Sequence, residues 1–181
     1  IGFTHEQGLI ALVNLAITLL TFMGETKMEI FIFDLDNTTI DSRHRQGKGS
    51  LESWHRNMTR DSIFNDELMP LSQYIRLLHN LRYKVIICTS RCLTKDDYEY
   101  LYSVVDVPSR VKIISRDKND VRECGEFKKA RLSYLANFKQ FKNRDKILID
   151  DNDSVRESFV SLGNNCIALT PQSAMGFLSG V

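Results

Sequence analysis

Five short runs along the 181-residue chain are apolar, rich in β-branched residues and bounded by charged or turn-forming residues. They are EIFIFD (29–34), KVIICT (84–89), VKIIS (111–115), KILID (146–150) and CIALT (166–170). Continuous rather than alternating apolarity marks strands covered on both faces, as in a parallel sheet. Stretches of helical period lie between them. LSQYIRLLHNL (71–81) follows Pro70 and sets Leu71, Tyr74 with Ile75, and Leu78 on one stripe. TKDDYEYLYSVV (94–105) opens on Thr94 as an N-cap, with acidic residues in its first turn. EFKKARLSYLANF (126–138) puts Phe127, Ala130 with Arg131, Tyr134 and Leu135 at helical spacing, and SVRESFVSL (154–162) stops at Gly163. Strand alternating with helix predicts an α/β fold, a doubly wound parallel sheet of about five strands. One long, weakly patterned insertion runs from Asp41 to about Met69 and carries Arg43, His44, Arg45, Trp54, His55 and Arg56. It predicts a minimal cap rather than a second domain.

Composition changes this picture little. A length of 181 residues, 43% hydrophobic and 26% charged, suits one soluble domain. The net charge of +1 points to no particular partner, although Arg110 to Lys146 holds twelve Lys/Arg against five Asp/Glu. That segment reads as a solvated helix face or a patch that attracts phosphates. Cys88, Cys92, Cys124 and Cys166 form no CxxC pair; reduced, structural thiols suit a cytoplasmic protein. LIALVNLAITLLTFM (9–23) is apolar, but shorter than the roughly 20 residues that span a bilayer. It has no basic flank or small-residue cleavage site, and Met28 stands immediately before the first strand. The expectation is an extension over 1–27 and a functional domain over 28–181, with no membrane partner. A helix docked on the domain and a membrane anchor are the alternatives.

The predicted strands end in chemistry: Asp34 and Asp36, then Thr89, Ser90 and Arg91, then Asp150 and Asp151. Ligands in such folds bind outside the carboxyl ends of the strands. Side chains two apart on a strand point the same way, so Asp34 and Asp36 can face one pocket. If the first and fourth strands are neighbours, four carboxylates converge, and like charges then raise one another's pKa values. A divalent cation removes that difficulty. Mg²⁺ is the natural candidate, since it takes hard oxygen ligands and shares them with a phosphate.

These ends resemble, in order, the four motifs of the haloacid dehalogenase (HAD) superfamily. DLDNT (34–38) is similar to its DxDxT motif, and VIICTSR (85–91) to its second motif. Lys129, or its neighbour Lys128, sits where the third-motif lysine is expected, with Lys129 preferred because Phe127 and Ala130 bracket it. ILIDDND (147–153) is similar to the fourth motif in its DD form. The resemblance covers residues 29 to 153 and implies an aspartyl-phosphate phosphatase with a HAD-like Rossmannoid sheet. It implies Asp34 as nucleophile, and Asp36 as general acid and base whose backbone carbonyl binds the metal. Thr89 would be a donor to the phosphoryl group and Lys129 a neutralising cation, with Asp150 and Asp151 on Mg²⁺ directly or through water, assisted by Asp153. A carboxylate with an ordinary pKa near 4 would be ionised at pH 7 without help.

Thr38, Ser90 and Arg91 are the remaining candidates for substrate contact at the strand ends, and Arg43 and His44 at the mouth of the site. Asp36 argues against carbon–halogen hydrolysis, which needs no second acid there. In a response-regulator receiver, the acidic pair precedes the phosphoacceptor, Thr and Lys, whereas here Thr and Lys fall between two acidic pairs. A small cap leaves the site open to extended substrates. The TTIDSRHRQ continuation resembles bacteriophage HAD proteins and the phosphatase halves of polynucleotide end-repair enzymes. The substrate class so implied is nucleotide or polynucleotide phosphate ends, with a small phosphomonoester such as a sugar phosphate, or an inactive interaction protein, as alternatives. No G-x-x-x-x-G-K-[ST] kinase loop occurs.

Overall fold

Residues 29–46, 57–163 and 165–180 are described by the structure, a computed structural model. Five parallel strands form the sheet, in the order β5-β4-β1-β6-β7. They are β1 (Ile30–Phe33), β4 (Lys84–Cys88), β5 (Lys112–Ile114), β6 (Lys146–Ile149) and β7 (Cys166–Leu169). All five coincide with the apolar runs, and β1 lies between β4 and β6, with Phe33 in register with Ile87 on one side and Ile149 on the other. The first and fourth predicted strands are therefore neighbours.

Alternate residues of β1 enter two separate cores. Phe31 and Phe33 pack with Leu71, Ile75 and Leu78 of the segment holding α2 (Ser72–Asn80), with Tyr100 and Leu101 of α3 (Lys95–Ser103), and with Ala174 and Leu178 of α7 (Pro171–Leu178). Ile30 and Ile32 pack with Phe127, Leu132 and Leu135 of α4 (Cys124–Asn137) and with Val155 and Phe159 of α6 (Asp153–Val160). Both faces are covered, so a strand with no polar side chain costs nothing in exposure. A short helix, α5 (Lys139–Lys142), follows α4.

The insertion forms a two-stranded antiparallel ribbon of β2 (Ile40–Asp41) and β3 (Glu67–Leu68), with a 3-10 turn at Arg43–Arg45 and a short helix, α1 (Arg60–Phe64). Thr59 and Ser62 cap α1 reciprocally. Residues 1–27 and the Trp54, His55 and Arg56 portion of the insertion lie outside the described residues. No helix among the described residues is long and apolar enough to cross a membrane.

Candidate active site

The chain turns sharply as it leaves β1. The backbone N–H groups of Thr38, Thr39 and Ile40 donate to the Leu35 carbonyl, and the Thr39 hydroxyl donates to that of Asp34 at 2.9 Å. Asn37 takes the left-handed conformation (φ 59°) that Asn tolerates better than most residues. This turn holds Asp34 and Asp36 at the carboxyl end of the central strand. Asp34 shares the parity of Ile30 and Ile32, and so meets the layer of α4.

Lys128 of α4 meets it there. Its Nζ donates to Asp34 Oδ1 at 2.5 Å and to Asp150 Oδ2 at 2.6 Å, with all three side chains buried. Lys129, the lysine preferred from the sequence, is exposed. The correction follows from helical period: Lys128 shares a stripe with Leu132 and Leu135, four and seven residues on, which are buried with it. That spacing was present in the sequence; bracketing by Phe127 and Ala130 was the wrong guide, since Ala130 is exposed.

Asp34, Asp150 and Asp151 bring one carboxylate oxygen each to within 4.8 Å of one another. Asp150 Oδ1 also accepts from the Asn152 backbone N–H at 3.0 Å, and the Asp151 N–H donates to Thr38 Oγ1 at 3.2 Å. Thr38 is thus a buried brace between the two loops, rather than a residue of the pocket wall. Burial pushes Asp34 up to about 8; Lys128 pulls against that shift, while Asp150 and Asp36 add to it. Without a cation at the carboxylates, burial thus works against the expectation of an aspartate ionised unaided. Lys128 itself is shifted upward, its two carboxylates outweighing its own burial. Asp151 is also raised, by desolvation and by Asp150. An all-oxygen donor set with surplus negative charge fits a hard divalent cation.

The Asp36 carboxylate stands apart from this cluster. It accepts from Arg91 Nε at 3.2 Å, from Arg91 Nη2 and from the Ser42 hydroxyl. Burial raises its pKa, but Arg91 and Ser42 outweigh that and hold it below the ordinary range. Thr89 Oγ1 accepts the Arg91 backbone N–H at 3.1 Å, so its own hydroxyl proton is available to the pocket it lines. Ser90 Oγ lines the same pocket and is buried without a partner among the described residues.

The pocket over these groups has a volume of about 440 Å³. Three of its walls were not anticipated. Asn37 lines it with a buried Oδ1 that has no partner among the described residues. Arg116 is buried over the Phe127 ring and pins the loop after β5, donating to the carbonyls of Ser90 (2.8 Å), Asp120 (2.9 Å) and Arg122 (2.6 Å). Arg122 is itself paired with Asp120 at the rim. The basic 110–146 segment thus sends two arginines to the pocket wall.

Arg43 and His44 do not reach this pocket. They line a separate cavity on the ribbon, where Arg43 pairs with Asp41 and His44 Nε2 lies 3.0 Å from the Ser62 carbonyl. Arg45, the next residue, turns inward instead. Asp153 is exposed and paired with Arg156, outside the carboxylate cluster.

A family model described as bacteriophage T5 5′-deoxynucleotidase matches residues 23–170. The chain belongs to this family. Among curated relatives, the 5′-deoxynucleotidase of Escherichia phage T5 is 31% identical over 156 residues, covering 74% of this chain and 64% of that protein. The chain therefore spans a little under two thirds of that relative's length. The Pnkp1/Rnl/Hen1 complex contains a chain that superposes with a TM-score of 0.57 at 20% identity, over 79% of this chain and 46% of that one. A D,D-heptose 1.7-bisphosphate phosphatase from B. bronchiseptica, solved with magnesium and phosphate, superposes with a TM-score of 0.57 at 10% identity, over 85% of this chain and all of that one. At these identities the superpositions establish the fold, which is the HAD-like one expected from the four motifs. The family match spans all four motifs of this 5′-deoxynucleotidase family member.

Proposed function

We propose that the protein is a phosphatase that removes the phosphate of nucleoside 5′-monophosphates, 2′-deoxynucleotides above all, through a phosphorylated Asp34. The observation that carries this is Lys128 bridging Asp34 and Asp150 beneath an open pocket, in a member of the T5 5′-deoxynucleotidase family. The bridge leaves a carboxylate at the pocket floor, with a cation at its back. Asp34 attacks phosphorus as the P–O5′ bond breaks, and Asp36, which first takes up a proton from solvent against the pull of Arg91, delivers it to the departing oxygen. Asp36 then takes a proton from the water that cleaves the acyl phosphate, returning Asp34. Thr89 and Ser90 donate to the phosphoryl oxygens, and Lys128 offsets charge at the reacting carboxylate. Mg²⁺ held by Asp34, Asp150 and Asp151 would supply charge neutralisation at the phosphoryl oxygens.

The test is a substrate panel of deoxynucleoside 5′-monophosphates, 5′- and 3′-phosphorylated oligonucleotides and sugar phosphates, with Mg²⁺ and with EDTA. The mononucleotides should turn over fastest, only with the metal, and Asp34→Asn should be inert while melting normally. Turnover in EDTA, or an Asp34→Asn protein keeping about a tenth of the activity, would overturn the mechanism. Preference for oligonucleotide ends would move the substrate from mononucleotide to nucleic acid.

A further inference from the structure

Arg91 follows the Thr89-Ser90 pair, where a guanidinium would ordinarily be read as a phosphate contact. Its side chain is 1% exposed and points into a cluster of carboxylates. Nε and Nη2 engage both oxygens of Asp36 as a fork. Nη1 donates to Asp97 Oδ1 at 2.9 Å and lies 3.6 Å from Asp66 Oδ2. Each of those two acids is fixed by other donors. Asp66 accepts from Arg45 Nε at 2.6 Å and Nη2 at 2.5 Å, and the second oxygen of Asp97 accepts from the N–H and hydroxyl of Thr94, both at 2.8 Å. The Tyr100 hydroxyl closes the arrangement by donating to the Asp66 carbonyl at 2.7 Å.

We propose that Asp66 and Asp97 are positioning residues for Asp36, acting through Arg91. This rests on Asp36 being the proton carrier of the reaction above. A guanidinium held between three carboxylates cannot swing without leaving a buried charge unpaired, which fixes its fork from behind. The fork in turn fixes the plane of the Asp36 carboxylate, and the Ser42 hydroxyl fixes one of its oxygens from the insertion side. The anchors come from two places: Arg45 and Asp66 from the insertion, and Asp97 from α3. The insertion therefore holds part of the machinery that aims the proton.

Leaving-group dependence separates this role from a merely structural one. A nitrophenolate departs without protonation, whereas a sugar alkoxide needs the proton that Asp36 delivers. Asp97→Asn should lower kcat/KM for a deoxynucleoside 5′-monophosphate by about tenfold or more, within the range general acid catalysis contributes, and for p-nitrophenyl phosphate by less than about threefold. Arg60→Ala breaks an exposed ion pair with Glu99 of α3 but touches neither Arg91 nor its carboxylate partners, so it should leave the ratio of the two substrates unchanged. If loss of the Asp97 charge keeps Asp97→Asn from folding, the joint variant Arg91→Met with Asp97→Asn removes both charges and should show the same selective loss. Equal losses on both esters, or no loss on either, would overturn the positioning role. A wild-type protein inert on both would instead count against the phosphatase itself.

Discussion

Lys128 is the side chain on which the site depends electrostatically. Two buried carboxylates face one ammonium, at 2.5 and 2.6 Å. Removing one member of such a group leaves the others desolvated and unpaired, whereas an exposed lysine one residue away interacts mainly with water. Lys128→Met should therefore cost about 3–5 kcal/mol of stability in urea denaturation without metal. Its turnover should fall by about 10²–10³-fold, the usual effect of deleting one preorganised charge at a reacting centre. Lys129→Ala should change stability by no more than about 0.5 kcal/mol and leave turnover unaltered. If the two variants behaved alike, the assignment of the bridging lysine would be wrong. The same scale shows why the sequence favoured the wrong neighbour. Both lysines have the same chemistry, and only the helical phase set by Leu132 and Leu135 distinguishes them.

At the scale of elements, Lys128 is aimed by how closely α4 approaches α6. Gly125 lies one turn before it, and an added Cβ there would stand 2.7 Å from Ser158 Oγ and 2.9 Å from the Ser154 carbonyl oxygen. The hydroxyl can rotate away, but the backbone oxygen cannot. Gly125→Ala should therefore destabilise by about 1–3 kcal/mol, and Ser158→Gly should not rescue it. Turnover should fall as well, since parting the helices withdraws Lys128 from Asp34. Full rescue by Ser158→Gly would show that only the flexible contact matters. The five strands and four of the five longer helices were legible in the sequence because each carries its own periodicity. β2, β3 and α1 were not, having two, two and five residues, too few for a period to register. α7 could have been read from Thr170 as N-cap and Pro171 at the first helical position. At the site, Asp34, Asp36, Thr89, Asp150 and Asp151 stand at strand ends, where local pattern places them. The contacts of Arg91 with Asp66, and of Asp66 with Arg45, join residues whose proximity only the folded insertion creates.

For the molecule as a whole, the surplus acid of the site should set how stability varies with pH and metal. Burial raises Asp34 from an ordinary carboxylate value to about 8. Between those two values the folded protein binds a proton that the unfolded chain has released, so stability falls as pH rises through that window. The contribution is fully present below the unfolded value and lost once pH passes about 8. A cation bound to the ionised carboxylates reverses the trend, because metal binding displaces the same proton. The metal-free protein should thus melt at a lower temperature at pH 8.5 than at pH 6, roughly half a unit beyond the folded value and two units below it. Excess Mg²⁺ should raise the melting temperature more at pH 8.5 than at pH 6. At a hundred times its Kd the ion adds about 2.7 kcal/mol. Asp34→Asn isolates the cause, since the amide carries no titrating proton but keeps the shape. The variant should show a flatter pH dependence without metal and a smaller response to Mg²⁺. A metal-free protein that grew more stable from pH 6 to pH 8.5, with Asp34→Asn following the same curve, would mean that Lys128 overcomes the burial of Asp34. The case for a cation would then rest on the donor geometry alone.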